Sequence, residues 1–262
     1  MTPDSPPERK RRRGIYLLPN LLTTTALFFG FYAVISANNG DFQTAAISIF
    51  IAMVMDGLDG RVARLTNTQS DFGVQYDSLS DMLSFGVAPA LVMYQWGLGD
   101  VHNLGPAWSR LGWLGAFMYT ACAALRLARF NTQVGVADKR YFQGLPSPAA
   151  AAVVAGMVWV SHQLGWQDRE VAYAGLALTI VAGVLMVSNV RYYSFKEFDF
   201  RYRVPFITIV VLVLGLVFAS INPPTVLFAA FLLYMVSGPL VTIIRRRQRR
   251  ASRRSDAGSG PR

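Results

Sequence analysis

Apolar runs of about twenty residues recur along the whole chain, the length needed to cross a bilayer core of roughly 30 Å. Eight can be read, over approximately 18–37, 42–60, 75–97, 111–130, 147–165, 170–189, 204–221 and 224–244. Few folds are open to such a chain. In hydrocarbon every backbone N–H and C=O must be satisfied internally, so runs of this length become helices. The expectation is all-α: a polytopic membrane helical bundle of about eight transmembrane helices. Only 15% of residues are charged, against about a quarter in soluble domains. The third and fourth runs are the least clean, because Asp77 and Asp81 interrupt one and Arg126 and Arg129 end the other.

A net charge of +10 raises the question of nucleic acid, and its distribution answers it. With both termini placed in the cytoplasm, 23 of the 25 Lys and Arg residues fall on the cytoplasmic side. Only Arg110 and Arg169 fall outside. That asymmetry is the positive-inside rule for an even number of spans. The basic tails are expected to lie against anionic headgroups. The predicted location is therefore the cell membrane, multi-pass, with no nucleic-acid partner.

Residues 1–14 read as a basic N-terminal tail and 245–262 as a basic, disordered C-terminal tail, both Arg-rich and polar. Between them, 15–244 reads as one membrane domain. No cleavable signal peptide is evident, since the first span is long enough to remain in the membrane. Outside connections are mostly short, and inside connections carry charge and aromatics, notably RYYSFKEFDFRYR at 191–203. Function is therefore expected to face the cytoplasm. Trp96, Trp108, Trp113 and Trp166 fall at predicted outer span ends, as in an aromatic belt. His102 and His162 read as outer surface residues, and the single cysteine, Cys122, as a packing residue.

Chemistry concentrates in VMDGLDGRVARLTNTQSDFGVQYDSLSDMLSFG, residues 54–86. Carboxylates at membrane depth are costly, so an acidic cluster there marks function. Asp56, Asp59, Gly60 and Ala63 have the i, i+3, i+4, i+7 spacing of one helical face, with Arg64 four beyond Gly60. Gly73, Asp77 and Asp81 line one stripe of the next helix, the two acids about 6 Å apart along its axis. A turn over 65–72 would bring the two stripes together as antiparallel neighbours.

Carboxylates without His or Cys are hard oxygen ligands, suited to Mg2+, Mn2+ or Ca2+. Four acids would be neutralised by two divalent ions, and such a site welcomes a diphosphate. Gly60 and Gly73 leave room for a nucleotide near the backbone, and Arg64 can reach a phosphate. A purely structural salt-bridge network is short of partners: only Arg61 and Arg64 share the stretch, and an unpaired buried charge is costly. A cation transporter is the alternative of a different class. Against it, the acids gather at one end of their spans, and no inverted repeat of broken helices is visible.

The order DGLDGRVAR, eight residues, then GVQYDSLSD resembles the signature of the CDP-alcohol phosphatidyltransferases, with all eight fixed positions present. LLPNLLTTTALFFGF at 17–31, DSLSDMLSFGVAPA at 77–90, ALRLARFN at 124–131, FQGLPSPAAA at 142–151 and SNVRYYSFK at 188–196 are similar to its phosphatidylserine synthase branch. The resemblance implies attack of an alcohol on a CDP-linked lipid with release of CMP. In that branch L-serine and CDP-diacylglycerol give phosphatidylserine. Inositol phosphate, glycerol phosphate and choline remain as alternative acceptors. Carried over, Asp56, Asp59, Asp77 and Asp81 become metal ligands for Mg2+ or Mn2+, with two ions expected. Asp81 also becomes the general base. Gly60, Ala63, Arg64 and Gly73 shape the CDP-lipid site, joined by Asn20 and Thr24, four apart on the first span. Arg126 and Arg129, sharing a face, and Gly144, Pro146 and Ser147 are the candidate serine-binding residues. The expected partners are these two substrates, membrane lipids and a second copy in a homodimer.

Overall fold

The computed structural model describes residues 17–98, 106–132, 141–166, 169–193 and 213–258 apart from 216 and 219. Helices dominate. They are α1 (Leu17–Asn38), α2 (Phe42–Leu65), α3 (Asp71–Asp81), α4 (Ala88–Met93), α5 (Pro106–Thr132), α6 (Ser147–Gln163), α7 (Arg169–Val187) and α8 (Pro223–Gly258). Two π-helical segments, Met82–Val87 and Tyr94–Leu98, join α3 and α4 into one rod over 71–98. Each apolar run predicted from the sequence coincides with a helical element except 204–221, which lies mostly outside the described residues. The basic tail over 1–14 also lies outside them.

Among the described residues, four helices are long and apolar enough to cross a membrane: α1, α5 over 110–132, α7, and α8 over 223–244. This is a helical membrane protein. The others fall short for visible reasons. The C-terminal half of α2 carries Asp56, Asp59, Arg61 and Arg64. The rod is broken into short pieces, and α6 has 17 residues.

The all-α expectation holds, with one small addition: a two-stranded antiparallel ribbon, β1 (Tyr141–Gln143) with β2 (Arg191–Tyr193), pairing Phe142 with Tyr192. The backbone of α8 runs on past 244 to Gly258, through much of the stretch expected as a basic tail. Its Arg, Gln and Ala residues are good helix formers and extend a helix already nucleated upstream. Trp96, expected in an aromatic belt, is instead buried in the core. Trp113 and Trp166 are exposed, and the side chain of Trp108 is outside the described set. His162 is half-buried with its ring against Phe42, and Cys122 is a buried free thiol.

The core is built on α6. Thirteen of its 17 residues are buried, which sets it at the centre of the bundle rather than at its rim. Its run Ala149–Ala155 is entirely alanine and valine, and small side chains let α2, α7 and α8 approach closely. The π segment after α3 has a local cause. Pro89 has no N–H to offer the carbonyl of Phe85 four residues earlier. Tyr119 Oη on α5 donates to that oxygen at 3.0 Å, and Thr120 Oγ1 donates to Gly86 O at 3.4 Å. In a medium without water, neighbouring helices supply the missing donors.

One end of the bundle collects the starts of α1, α3 and α6 and the ends of α2, α5 and α7. Cross-helix bonds tie them there. Thr23 on α1 meets Asp59 on α2, Ser80 on α3 meets α1, and Asn131 on α5 meets Ser78 on α3. Arg126 on α5 meets Ser147 on α6.

Candidate active site

The connection between the acid-bearing helices is tight. Thr66 closes α2, Asn67 takes a left-handed conformation with φ of 52°, and Ser70 caps α3 by accepting from Gly73 N–H at 3.1 Å. Together these reverse the chain within a few residues, as the sequence predicts. α1 packs against both α2 and α3 and so holds their spacing.

The result is a carboxylate group. Ligand atoms of Asp56, Asp59 and Asp77 all lie within 4.8 Å of one another. Asp81 lies outside that set of three but adjoins it, its carboxyl group hydrogen-bonded with that of Asp56. It lies one turn deeper on α3, with Asp56, Asp77 and Arg126 as charged neighbours. Its Oδ1 is buried and has no hydrogen-bond partner among the described residues. An orphaned buried acceptor marks a place where something else binds. Asp59 is the most buried of the acids, 5% exposed, and its Oδ2 accepts from Thr23 Oγ1 at 2.6 Å.

This donor set fits a hard divalent cation. It offers carboxylate oxygens only, on two helices, with no imidazole or thiolate.

The other residues expected around the CDP-lipid lie on the same stretches of α1, α2 and α3. Gly60 and Ala63 follow Asp59 on α2, and Arg64 is exposed beyond them, one turn from Gly60. A Cβ added to Gly73 would lie 3.7 Å from Asn20 Oδ1, so α1 and α3 face the same space. Thr24 Oγ1 and Tyr76 Oη lie 2.9 Å apart, closing that space on one side.

The residues expected to bind serine divide into two sets. Arg126 is buried beside Asp81, and its Nη1 donates to Ser147 Oγ at 2.6 Å. Its Nε is buried with no partner among the described residues, leaving a donor free. Arg129, sharing its face, is occupied. Nη2 donates to Gln143 O at 2.8 Å, and Nη1 donates to Val187 O at 3.1 Å. Weaker contacts reach Met186 O, Ser188 O and Asn189 Oδ1. Arg129 thus caps the carbonyl end of α7 and fastens the ribbon. The contacts described for Arg129 are all to the chain itself, whereas Arg126 keeps a donor free.

Gly144 and Pro146 serve the same joint. Gly144 adopts φ of 81°, and a side chain there would run into Met186 O. Pro146 leads into α6, and Ser147 begins it.

The sequence profile described as CDP-alcohol phosphatidyltransferase matches residues 16–188, which takes in every residue of this site. The chain belongs to the CDP-alcohol phosphatidyltransferase family. A CDP-diacylglycerol–serine O-phosphatidyltransferase of Helicobacter pylori is 36% identical over 224 residues, 86% of this chain and 90% of that protein. The protein of that name from Methanocaldococcus jannaschii is 36% identical over 154 residues, 59% of this chain and 66% of its own length. An archaetidylserine synthase of Methanothermobacter thermautotrophicus is 30% identical over 188 residues, 70% of this chain and 72% of its own. The resemblance to phosphatidylserine synthases drawn from the sequence motifs is thereby borne out, and the chain is an enzyme of the transferase class.

Sequence reasoning missed Thr23, the partner of Asp59, and Asn131, whose Nδ2 donates to Ser78 Oγ at 3.0 Å beside Asp77. A signal for the first existed. Thr23 stands three residues after Asn20, on the same face of α1.

Proposed function

We propose that this protein transfers a phosphatidyl group from CDP-diacylglycerol to L-serine, giving phosphatidylserine and CMP, in a metal-dependent reaction. The observation that carries the reading is the group Asp56, Asp59 and Asp77 beside the unpartnered Oδ1 of Asp81. Serine as acceptor is supported by the names of the relatives and by the free buried donor on Arg126.

Asp56, Asp59 and Asp77 would hold Mg2+ or Mn2+, with Asp81 completing a site for two ions. Bound there, the metal supplies charge neutralisation to the diphosphate and to CMP as it leaves. The protein's own groups do the rest. Asn20, Thr24, Gly60, Ala63, Arg64 and Gly73 bind and orient the CDP moiety. Arg126, positioned by Ser147, receives the serine carboxylate. Asp81 takes the proton of the serine hydroxyl. The serine oxygen then forms its bond to the phosphorus bearing diacylglycerol as the bond to CMP breaks. A positioned base contributes about 10²–10⁴ in rate for such a step.

The enzyme works as a homodimer in the cell membrane, with eight spans, both termini cytoplasmic and the site at the cytoplasmic face. The test is CMP release by purified protein given CDP-diacylglycerol, Mn2+ or Mg2+, and serine, inositol phosphate, glycerol phosphate or choline in turn. Release with serine alone supports the reading. Release only with another alcohol overturns the acceptor, and cation flux into liposomes without CMP would make it a transporter.

A further inference from the structure

We propose that Thr23 is the positioning residue of the metal centre, joining the two acid-bearing helices through a single residue of α1. The inference rests on the reading that Asp59 is a metal ligand. Thr23 is 4% exposed, and it faces both helices at once. Its hydroxyl donates to Asp59 Oδ2 on α2 at 2.6 Å. Its backbone carbonyl accepts from Ser80 Oγ on α3 at 3.2 Å, and Ser80 lies between Asp77 and Asp81.

A hydroxyl has one proton, and Thr23 Oγ1 has two acceptors in reach. Pro19 O, one turn back on α1, is at 3.1 Å. The carboxylate is nearer by 0.5 Å, the difference between 3.1 and 2.6 Å, and a charged acceptor makes the stronger bond. The proton therefore goes to Asp59. That bond fixes the carboxylate of Asp59 from the side of α1. The carboxylate cannot rotate without breaking a buried charge-assisted bond. Partners of this kind behind metal ligands set their orientation, and losing one weakens metal binding about 10- to 100-fold. Ser84 repeats the contact one turn along: its Oγ donates to Ala26 O at 3.1 Å, where Gly30 lets the rod approach α1. Asp59 and the stripe of Asp77 and Asp81 are thus indexed to the same turn of α1.

The experiment is Mn2+ binding to the detergent-purified protein, read by electron paramagnetic resonance of the free ion, with no substrate present. Thr23→Val keeps the shape and removes the hydroxyl. Thr23→Ser keeps the hydroxyl. Asp59→Asn removes the ligand. The expected result is Mn2+ affinity about 10- to 100-fold weaker in Thr23→Val and close to wild type in Thr23→Ser. Thermal unfolding of the metal-free variants guards against a folding defect. If Thr23→Val folds and binds Mn2+ as wild type while Asp59→Asn does not, the positioning role is wrong and the metal site stands. If Asp59→Asn also binds normally, the metal reading itself fails. If Thr23→Val is too unstable to purify, Thr23→Ser and Thr23→Ala decide the matter: equal weakening in both means that the hydroxyl is not the cause.

Discussion

Arg126 and Ser147 stand 21 residues apart in sequence and are joined in the core by a 2.6 Å bond from Nη1 to Oγ. Both are buried, and Asp81 is a charged neighbour of the guanidinium. A buried arginine is retained only where it is paired and hydrogen-bonded. Here the pairing leaves Nε over. A second ligand carrying an anion would complete the set.

The first prediction follows from that spare donor. Arg126→Ala should raise the KM for serine roughly ten- to a hundredfold, the effect of losing a charge-assisted bond of about 1.5–3 kcal/mol. The KM for CDP-diacylglycerol should change far less. Ser147→Ala should act in the same direction and more weakly, because it frees the guanidinium without removing it. Arg64→Ala should show the converse, hurting use of the CDP-lipid. Kinetics with each substrate varied in turn check all three. A serine KM unmoved in Arg126→Ala would leave the serine carboxylate to other donors.

Arg129 should behave differently, because its donors go to Gln143, Val187 and neighbouring carbonyls. Arg129→Ala strands the last carbonyls of α7 and loosens the ribbon. The expected cost is about 1 kcal/mol of stability, that of losing partly exposed hydrogen bonds. Thermal unfolding in detergent should register it, while the serine KM of the protein that remains folded stays near wild type. A serine-specific effect without loss of stability would place Arg129 at the substrate instead.

The two arginines show where reading the sequence ends. Three apart on one helix, they are equivalent to any pattern based on spacing. What separates them is which distant chain lies opposite: the start of α6 for one, the end of α7 for the other. That depends on packing, which no local pattern encodes. The acids were legible for the opposite reason. Asp56, Asp59 and Asp77 lie on two adjacent helices with a short turn, so helical periodicity brings them together, with Asp81 one turn further along. The helical, membrane-spanning character was legible because hydrocarbon permits so few backbone arrangements. The π segment after Asp81 carried a partial signal in Pro89, but its partner Tyr119 sits on another helix. The ribbon, three residues on each strand, is too short for alternation to show.

Asp56→Asn, Asp59→Asn, Asp77→Asn and Asp81→Asn should each abolish CMP release while the protein still folds. Replacing a carboxylate by an amide keeps the shape and removes a hard ligand or, at Asp81, the base. EDTA should inactivate the wild-type protein, and added Mg2+ or Mn2+ should restore it. The Asn variants should not be restored at any metal concentration if the carboxylates act as one group. Gel filtration and thermal unfolding verify the fold, and a CMP assay reads the activity. Near-normal turnover in any single variant would remove that residue from the shared site.

The last prediction concerns which way the bundle faces. Cross-helix bonds gather the ends of α2, α5 and α7 and the starts of α1, α3 and α6 at one end, so successive helices alternate in direction. That end holds Arg61, Arg64, Arg126 and Arg129, whereas Arg110 and Arg169 begin α5 and α7 at the other. Short loops with many arginines stay in the cytoplasm. Reporter fusions at residue 250 and within 99–105 should therefore report opposite compartments, with residue 250 cytoplasmic. A cysteine introduced at Arg64 should be reached by a membrane-impermeant thiol reagent only from the cytoplasmic side. Fusions reporting the same compartment would overturn the alternation, and labelling of position 64 from outside would invert the protein in its membrane.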